Sequence, residues 1–317
     1  MYSKDQITEI ACSDSIGIII PTYNAGSNIT KCLYAIQASL VCPAILIIDS
    51  SSTDNTCKAV MNMGAEVVSI PKEKFNHGAT RQLGINFFPN VDFLIYITQD
   101  AILASPDSIK NIISPFKDEK VGAVCGRQLS HSDSSPIAVH ARLFNYPDLS
   151  AVKTKENIPL LGIKAAFLSN SFAAYRRTAL LDVRGFPSDI IFGEDTYVAA
   201  KMLYAGWKVA YASDAVCYHS HNYSMMEEFR RYFDIGVFHS RERWFLNKLG
   251  KSEKEGKKFV ISEMYYLIKN APWLIPSALV RTVLKLIAYK IALHEHVIPL
   301  TVKRKLSMNK GYWNNSI

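Results

Sequence analysis

The first half of the chain alternates short, continuously apolar segments with segments of helical spacing. Residues 16–20 and 44–48 are unbroken apolar runs, and the apolar side chains of residues 29–40 recur every three or four positions. A strand buried on both faces of a sheet needs such a run, and strands that alternate with helices are typical of βαβ units. The sequence therefore predicts an α/β fold with a mostly parallel sheet flanked by helices.

The alternation continues further along the chain. More strands are expected at residues 67–70, 93–97, 121–125, 167–175, 208–212 and 216–219. Helices are expected at residues 79–88 and from Glu194 to Gly206, where the glycine is a typical C-terminal signal. From residue 223 onward the pattern is helical. We therefore predict an α/β domain at residues 1–222 and a basic, aromatic-rich helical region at residues 223–317.

The positive charge of the chain is concentrated in its last third. The net charge is +8, and residues 225–317 hold 17 lysines and arginines against 8 acidic residues. Such an excess suggests an anionic partner: membrane lipid, a phosphorylated acceptor or nucleic acid. A solvated helical surface is the simpler alternative.

The ends of the chain and its cysteines favour a cytoplasmic protein. The six cysteines include no CxxC pair and no zinc-type spacing, and the polar start lacks the features of a signal peptide. The most apolar stretch, residues 273–293, carries Pro276, Arg281, Lys285 and Lys290, which are costly at a bilayer centre. This segment is more typical of one that lies on a membrane than of one that crosses it.

Polar residues stand where three of the predicted strands end. They are Pro21, Thr22, Tyr23 and Asn24 after the first strand, Asp49 after the second, and Gln99 and Asp100 after the fourth. Ligands of open parallel sheets bind beyond the carboxyl ends of the strands, so these residues predict a nucleotide site. The absence of GxGxxG and GxxxxGK[ST] argues against a dinucleotide site and a P-loop.

Seven motifs in order give the chain a specific resemblance. They are IIIPTYNAG, IIDSSSTDNT, FNHGATRQLG, YITQDA, SNSFAAYRR, FGEDTYVAAKMLYAG and YHSHNYS. Over residues 16–238 the chain resembles the inverting family 2 glycosyltransferases with a GT-A (Rossmann-like) fold, and more narrowly the bacterial rhamnosyltransferases that build surface polysaccharides. FNHGATRQLG and TQDA carry the rhamnose assignment.

The resemblance implies a nucleotide site. Tyr23 would lay its ring against a pyrimidine, and Asp49 would accept the imide N–H that uracil and thymine have and cytosine lacks. Arg81 would contact the base or the diphosphate, and His77 is a weaker candidate for the same contacts. The structural alternatives are packing for Tyr23, a turn cap for Asp49 and a surface ion pair for Arg81.

The resemblance also implies a divalent metal, Mg²⁺ or Mn²⁺. Asp100 corresponds to the second acid of the family's Asp-x-Asp motif, whereas Thr98 replaces the first. His219 would complete the site, and His221 shares its face of the strand. A turn-capping Asp100 and an ordinary strand-end histidine are the alternatives.

Asp195 is the predicted general base. The Glu194-Asp195 pair matches the family motif, and a helix start favours an ionised carboxylate, which a base requires. A helix-start charge without chemistry is the alternative. Asn170 and Glu194 are further candidates for donor or acceptor contacts.

The resemblance implies one displacement with inversion, from dTDP-L-rhamnose to a polyprenol-diphosphate-linked saccharide in O-antigen-like biosynthesis. The C-terminal third would dock on the inner face of the cell membrane through its basic side chains, and a homo-oligomer contact is the alternative. Arg281 and Lys285 share one helical stripe, with Lys290 nearly opposite. An inactive nucleotide-binding scaffold of the same fold is the competing function. A nucleic-acid binder ranks below both, because no nucleic-acid motif accompanies the basic terminus.

Overall fold

The computed structural model describes residues 15–250 and 253–314. The polar start of the chain, including Cys12, lies outside the described residues. A nine-stranded sheet in the order β3-β2-β1-β4-β8-β6-β9-β5 forms the centre of the molecule, with β7 paired to β9. The strands are β1 Ile16–Thr22, β2 Ala44–Asp49, β3 Glu66–Ser69, β4 Phe93–Ile97, β5 Ile102–Leu103, β6 Val121–Leu129, β7 Ala151–Lys153, β8 Phe172–Arg176 and β9 Lys208–Tyr218.

The sheet is mixed in direction. Strands β3, β2, β1 and β4 are parallel, as the βαβ pattern predicts, and β6 and β9 are parallel to each other. Strand β8 runs antiparallel between β4 and β6. The two strands predicted at residues 208–219 form one strand, β9, whose register against β6 shifts between Gly126 and Arg127.

Helices cover the sheet and make up the C-terminal region. They are α1 Gly26–Gln37, α2 Thr56–Asn62, α3 His77–Phe87, α4 Ser108–Ile113, α5 Pro136–Asn145, α6 Ile158–Leu161, α7 Arg177–Asp182, α8 Glu194–Tyr204, α9 Met225–Arg241, α10 Arg243–Leu249, α11 Glu253–Asn270, α12 Ile275–Ala292 and α13 Leu300–Leu306. Single 3₁₀ turns lie at Lys72–Lys74, Ser114–Lys117, Lys155–Asn157, Gly162–Ala166, Pro272–Leu274, Glu295–Val297 and Lys310–Asn314. In the described part of the chain, no helix is long and apolar enough to cross a membrane.

The apolar strands are buried on both faces because the sheet separates two core layers. Along β1, Ile18 and Ile20 pack into one layer with α1, and Ile19 packs into the other. Successive side chains of a strand point to opposite faces, so a strand between two helical layers is apolar throughout. This packing is the physical basis of the continuous apolar runs.

The C-terminal helices share the core of the sheet. Phe233, Val237 and Phe238 of α9 belong to the same apolar layer as Val198 of α8. The predicted domain boundary at residue 223 falls in the connection between β9 and α9, and the division into two domains stays a prediction.

Helix α12 is oriented differently from what its charges suggested. Arg281 and Lys285 point inward to Glu228 of α9, at 3.2 and 3.7 Å, and their side chains are only 17% and 12% exposed. The expectation that these two cations meet lipid is therefore wrong, because both point inward and pair with Glu228 within the helical region. Lys290, nearly opposite on the helix, is exposed.

Candidate active site

The ends of β1, β2 and β4 meet at one rim, as predicted. The hydroxyl of Thr22 donates to the Asp49 carboxylate (3.1 Å), and the backbone N–H of Tyr23 donates to Oε1 of Gln99 (2.8 Å). The backbone N–H of Asn24, which follows β1 and its Pro21, donates to the hydroxyl of Ser52 (2.8 Å). Residues far apart in the chain thus form one connected polar rim.

Asp49 caps the turn that follows β2. Its carboxylate is 1% exposed and accepts the backbone N–H (2.8 Å) and the hydroxyl (2.5 Å) of Ser52 in addition to the Thr22 hydroxyl. This arrangement is the turn cap that the sequence offered as the alternative. Its role toward a base stays a prediction.

Tyr23 lies beside a cation that the sequence analysis did not single out. The ammonium group of Lys72 is 4.3 Å from the centre of the Tyr23 ring and donates to its hydroxyl. A partly exposed aromatic ring next to a positive charge suits a base that carries phosphates. The sequence signal was weak, since Lys72 is one of two lysines in a polar connection between β3 and α3.

Asp100, His219 and His221 form a cluster that fits a divalent metal ion. Their ligand atoms all lie within 4.8 Å of one another. Nε2 of His219 is 3.5 Å and Nδ1 of His221 is 3.8 Å from the Asp100 carboxylate oxygens, too far for good hydrogen bonds. Bonds of about 2.1 Å to one ion place its ligand atoms about 3 to 4 Å apart. The two distances to Asp100 lie in this range, so the three side chains form a candidate site for one cation.

His221 was named only for sharing a face with His219. The two rings are 4.7 Å apart between centroids and nearly perpendicular. His219 and His221 lie just beyond β9, which ends at Tyr218, and both imidazoles lie beside Asp100. Thr98, at the first position of the family's metal motif, has a buried hydroxyl with no hydrogen-bond partner among the described residues.

The Glu194-Asp195 pair lies at the start of α8 and is held by Asn170. The backbone N–H of Asn170 donates to Asp195 (3.1 Å), and its side-chain amide donates to Glu194 (3.3 Å). The hydroxyl of Tyr175 donates to the side-chain oxygen of Asn170 (2.6 Å). Asn170 thus orients both acids.

Arg81 lies in this cluster rather than at the rim. Its guanidinium forms a buried ion pair with Glu194 (2.8 Å) and donates to the backbone oxygen of His77 (3.1 Å). Burial is the largest effect on Glu194 and raises its pKa, but the charges of Arg81 and His77 and the hydrogen bond from Asn170 together outweigh it, so the pKa is lowered. For the nearby His77, burial acts in the other direction and lowers the pKa, because it disfavours the charged imidazolium. The surface ion pair considered as the alternative is therefore a buried one.

The pKa of Asp195 is raised, whereas its position at the start of a helix predicts a lowered pKa. Burial, followed by the nearby charge of Glu194, raises its pKa to about 6. Its carboxylate accepts the backbone N–H of Thr196 (2.7 Å) and that of Asn170, which limits the rise. The expectation that the helix start would favour the ionised form is therefore not met, because burial and, after it, the charge of Glu194 raise the pKa. At neutral pH the group is still mostly ionised.

Two adjacent residues, Ser169 and Asn170, connect Asp195 with the cluster of Asp100, His219 and His221. Asn170 contacts Asp195, while the hydroxyl of Ser169 accepts from the side-chain amide of Gln128 (3.0 Å), which in turn contacts His219 (2.9 Å). The segment before β8 therefore connects the predicted base with the predicted metal ligand.

A glycine in the FNHGATRQLG motif brings α3 against the loop that precedes the acids. A Cβ on Gly78 would lie 1.7 Å from the backbone oxygen of Pro187. Gln82 of the same helix accepts the backbone N–H of Phe186 (2.8 Å). Together with the Arg81–Glu194 pair, these contacts fix α3 to the start of α8.

Comparisons with known proteins agree with this geometry. A family model described as glycosyl transferase family 2 matches residues 17–184. O-antigen chain rhamnosyltransferase RfbN of Salmonella typhimurium strain LT2 is 48% identical over 302 residues, covering 95% of this chain and 96% of that protein. O-antigen chain rhamnosyltransferase WbaN of Salmonella anatum is 45% identical over 303 residues, covering 95% and 96%.

Solved structures confirm the predicted GT-A fold. Mannosyltransferase PcManGT from Pyrobaculum calidifontis, in complex with GDP-Man and Mn²⁺, superimposes with a TM-score of 0.56 at 20% identity, covering 95% of this chain and 85% of that chain. S. aureus TarS 1-349 in complex with UDP-GlcNAc gives a TM-score of 0.53 at 14% identity, covering 89% and 91%.

Proposed function

Because the chain belongs to glycosyl transferase family 2, we propose that it is an inverting rhamnosyltransferase of O-antigen biosynthesis, with dTDP-L-rhamnose as donor and a polyprenol-diphosphate-linked saccharide as acceptor. The family match and two relatives that align along nearly the whole chain support the enzyme class. Rhamnose is supported by the names of those relatives, RfbN and WbaN. Thymine, like uracil, has the imide N–H that Asp49 is proposed to accept.

The observation that carries the proposal is the connection of Asp195 to the cluster of Asp100, His219 and His221 near the carboxyl ends of the strands. Asp195 and His219 are linked through Asn170, Ser169 and Gln128 by hydrogen bonds of 2.9 to 3.1 Å. A single displacement needs a proton acceptor for the incoming hydroxyl and positive charge for the departing diphosphate. This chain supplies both functions in one site.

Asp195 is the proposed base. Its carboxylate takes the proton of the acceptor hydroxyl as the oxygen attacks the anomeric carbon, and one such displacement inverts that carbon. A pKa of about 6 is close to the working pH, which suits a base better than the usual value of an aspartate. Asn170 holds the carboxylate in place through its backbone N–H.

Asp100, His219 and His221 are the proposed metal ligands. When bound, the cation supplies charge that offsets the negative charge of the diphosphate leaving group. One carboxylate and two imidazoles suit Mn²⁺ better than Mg²⁺, which prefers oxygen ligands alone. We therefore favour Mn²⁺ as the cofactor.

The outer stripe of α12 is the proposed membrane contact. It consists of the exposed side chains Leu279, Val280, Val283, Leu286, Ile287 and Lys290. Trp273, 73% exposed, precedes the helix and adds an aromatic side chain typical of the membrane interface. Anionic lipid on the inner face of the cell membrane matches the basic charge of the region, and this contact would hold the enzyme near its lipid-linked acceptor.

Calorimetric titration with dTDP, UDP, GDP and CDP, with and without Mn²⁺, tests the donor and the metal site. We expect Mn²⁺-dependent preference for dTDP in the wild type and loss of the Mn²⁺ dependence in Asp100→Ala. Asp107→Ala is the control, because Asp107 lies in an exposed pair with Lys110. Transfer assays with dTDP-L-rhamnose then test the sugar. Preference for UDP, or no transfer of rhamnose, would contradict the proposed donor.

A further inference from the structure

A buried glutamine lies behind the proposed metal site. Gln128, near the end of β6, is 0% exposed, and each end of its amide has a partner. Its Oε1 lies 2.5 Å from a guanidinium nitrogen of Arg142 and 2.9 Å from Nδ1 of His219. Its Nε2 donates to the hydroxyl of Ser169 (3.0 Å).

The donor properties of these groups fix the protonation of His219. Arginine has donors only, so the amide atom facing Arg142 must be the oxygen. The same oxygen faces Nδ1 of His219 and has no hydrogen to give, so Nδ1 carries the hydrogen. In neutral imidazole the lone pair is then on Nε2, the atom that lies 3.5 Å from Asp100.

We infer that Gln128 and Arg142 are positioning residues that hold His219 in the tautomer whose Nε2 can bind the metal. The inference rests on the proposed metal-dependent function. Arg142 comes from α5 and has no carboxylate partner among the described residues, so its charge-assisted bond is directed to Gln128. A hydrogen-bond partner on the ring nitrogen that does not bind the metal orients the histidine and raises metal affinity.

Removal of Arg142 would release the amide. Gln128 could then turn over and direct its Nε2–H₂ group at His219, which favours a lone pair on Nδ1 and a hydrogen on Nε2. That hydrogen would occupy the position of the metal bond. Arg142→Met and Gln128→Met are therefore expected to weaken Mn²⁺ binding about 10- to 100-fold.

Two variants separate positioning from general support of the fold. Gln128→Glu keeps an oxygen acceptor toward Nδ1–H and is expected to keep Mn²⁺ affinity near that of the wild type. Ser169→Ala removes the partner of the amide nitrogen, and a weak contact with the Ser171 hydroxyl (3.5 Å), but leaves the orientation set by Arg142, so it should change Mn²⁺ affinity little.

The experiment combines Mn²⁺ titration, followed by electron paramagnetic resonance, with two-dimensional ¹⁵N NMR of the histidines in metal-free protein. We expect His219 to be the Nδ1–H tautomer in the wild type and Gln128→Glu, and to lose that preference in Gln128→Met and Arg142→Met. Circular dichroism verifies that each variant is folded.

An Nε2–H tautomer in the wild type, or wild-type Mn²⁺ affinity in folded Gln128→Met, would overturn the inference. Neither measurement uses a donor or acceptor sugar. Failure to transfer rhamnose would therefore count against the proposed function alone, and an unchanged tautomer in Gln128→Met would count against the positioning role of Gln128 alone.

Discussion

At the scale of single residues, the proposed base depends on its neighbour. Glu194 stays ionised through its ion pair with Arg81, and its charge adds to burial in raising the pKa of Asp195. The two carboxylates therefore differ in their pKa. That of Glu194 is lowered, with Arg81 contributing, and that of Asp195 is raised toward neutral pH. Such opposite shifts are characteristic of active sites.

Asp195→Asn should abolish sugar transfer and leave donor binding unchanged, because the amide cannot take a proton and the carboxylate has no proposed donor contact. Single-turnover kinetics and calorimetry measure the two effects separately. Retained turnover in this variant would reject Asp195 as the base.

The pH dependence of kcat provides an independent test. The pKa of Asp195 is raised to about 6, and a base acts only when ionised, so kcat should fall as the pH drops through about 6 and be level above it. In Glu194→Gln the loss of the neighbouring charge should move this limb to lower pH. An unchanged pH profile of kcat in Glu194→Gln would show that a group other than Asp195 titrates.

The buried ion pair also has a consequence for stability. Arg81→Met leaves the charge of Glu194 buried without its partner, which costs about 3–5 kcal/mol in the free energy of unfolding. Lys208→Met, which removes the more exposed pair with Asp118, should cost much less, because water screens exposed charges. Urea unfolding measures both, and equal costs would contradict the assignment of Arg81 to a buried pair.

At the scale of elements, helix α3 and the start of α8 behave as one unit. Three contacts from successive turns of α3 reach the segment from Phe186 to Glu194, and the tightest is the approach of Gly78 to Pro187. A motif that appeared to belong to the donor site on sequence grounds therefore also holds the loop before the base.

Gly78→Ala should separate these elements. Its Cβ would lie 1.7 Å from a backbone oxygen, so the loop must move, and kcat should fall at least about tenfold, as expected for a displaced catalytic group. Gly256→Ala is the matched control, since nothing lies within 4 Å of a Cβ there and α11 gains a better helix former. Unchanged kcat in Gly78→Ala would show that the loop position does not affect the chemistry.

At the scale of the whole molecule, the proposed base and metal cluster and the outer stripe of α12 belong to one body. Helix α9 packs into the core layer of α8 through Phe233 and Val237, and its Glu228 holds the inner cations of α12. Binding of α12 to a membrane would consequently fix the orientation of the active site relative to that surface.

Val283→Asp and Leu286→Asp should reduce binding to vesicles that contain anionic lipid, because each places a charge on the outer stripe, where the side chains are 54% and 56% exposed. Vesicle flotation measures the binding, and Thr301→Asp, on the separate helix α13, is the control. Light scattering in solution tests the alternative. A dimer that the same substitutions dissociate, with unchanged vesicle binding, would assign the stripe to an oligomer contact.

Local patterns in the sequence were sufficient to predict the fold and to single out the candidate site residues. Apolar runs and helical spacing predict β1 to β4 and α1, since the period of side-chain burial follows from backbone geometry. The polar strand ends and the ordered motifs singled out Asp100, Asp195 and His219, because a parallel sheet brings such ends to one rim.

Only the tertiary structure decided how these residues are paired and charged. The Arg81–Glu194 ion pair, the Gln128–His219 hydrogen bond and the inward turn of Arg281 join residues that are 113, 91 and 53 positions apart. The pKa of Asp195 likewise depends on burial and on a fixed neighbouring charge. Burial and long-range contact form only when the elements pack together, so no local pattern along the chain encodes them.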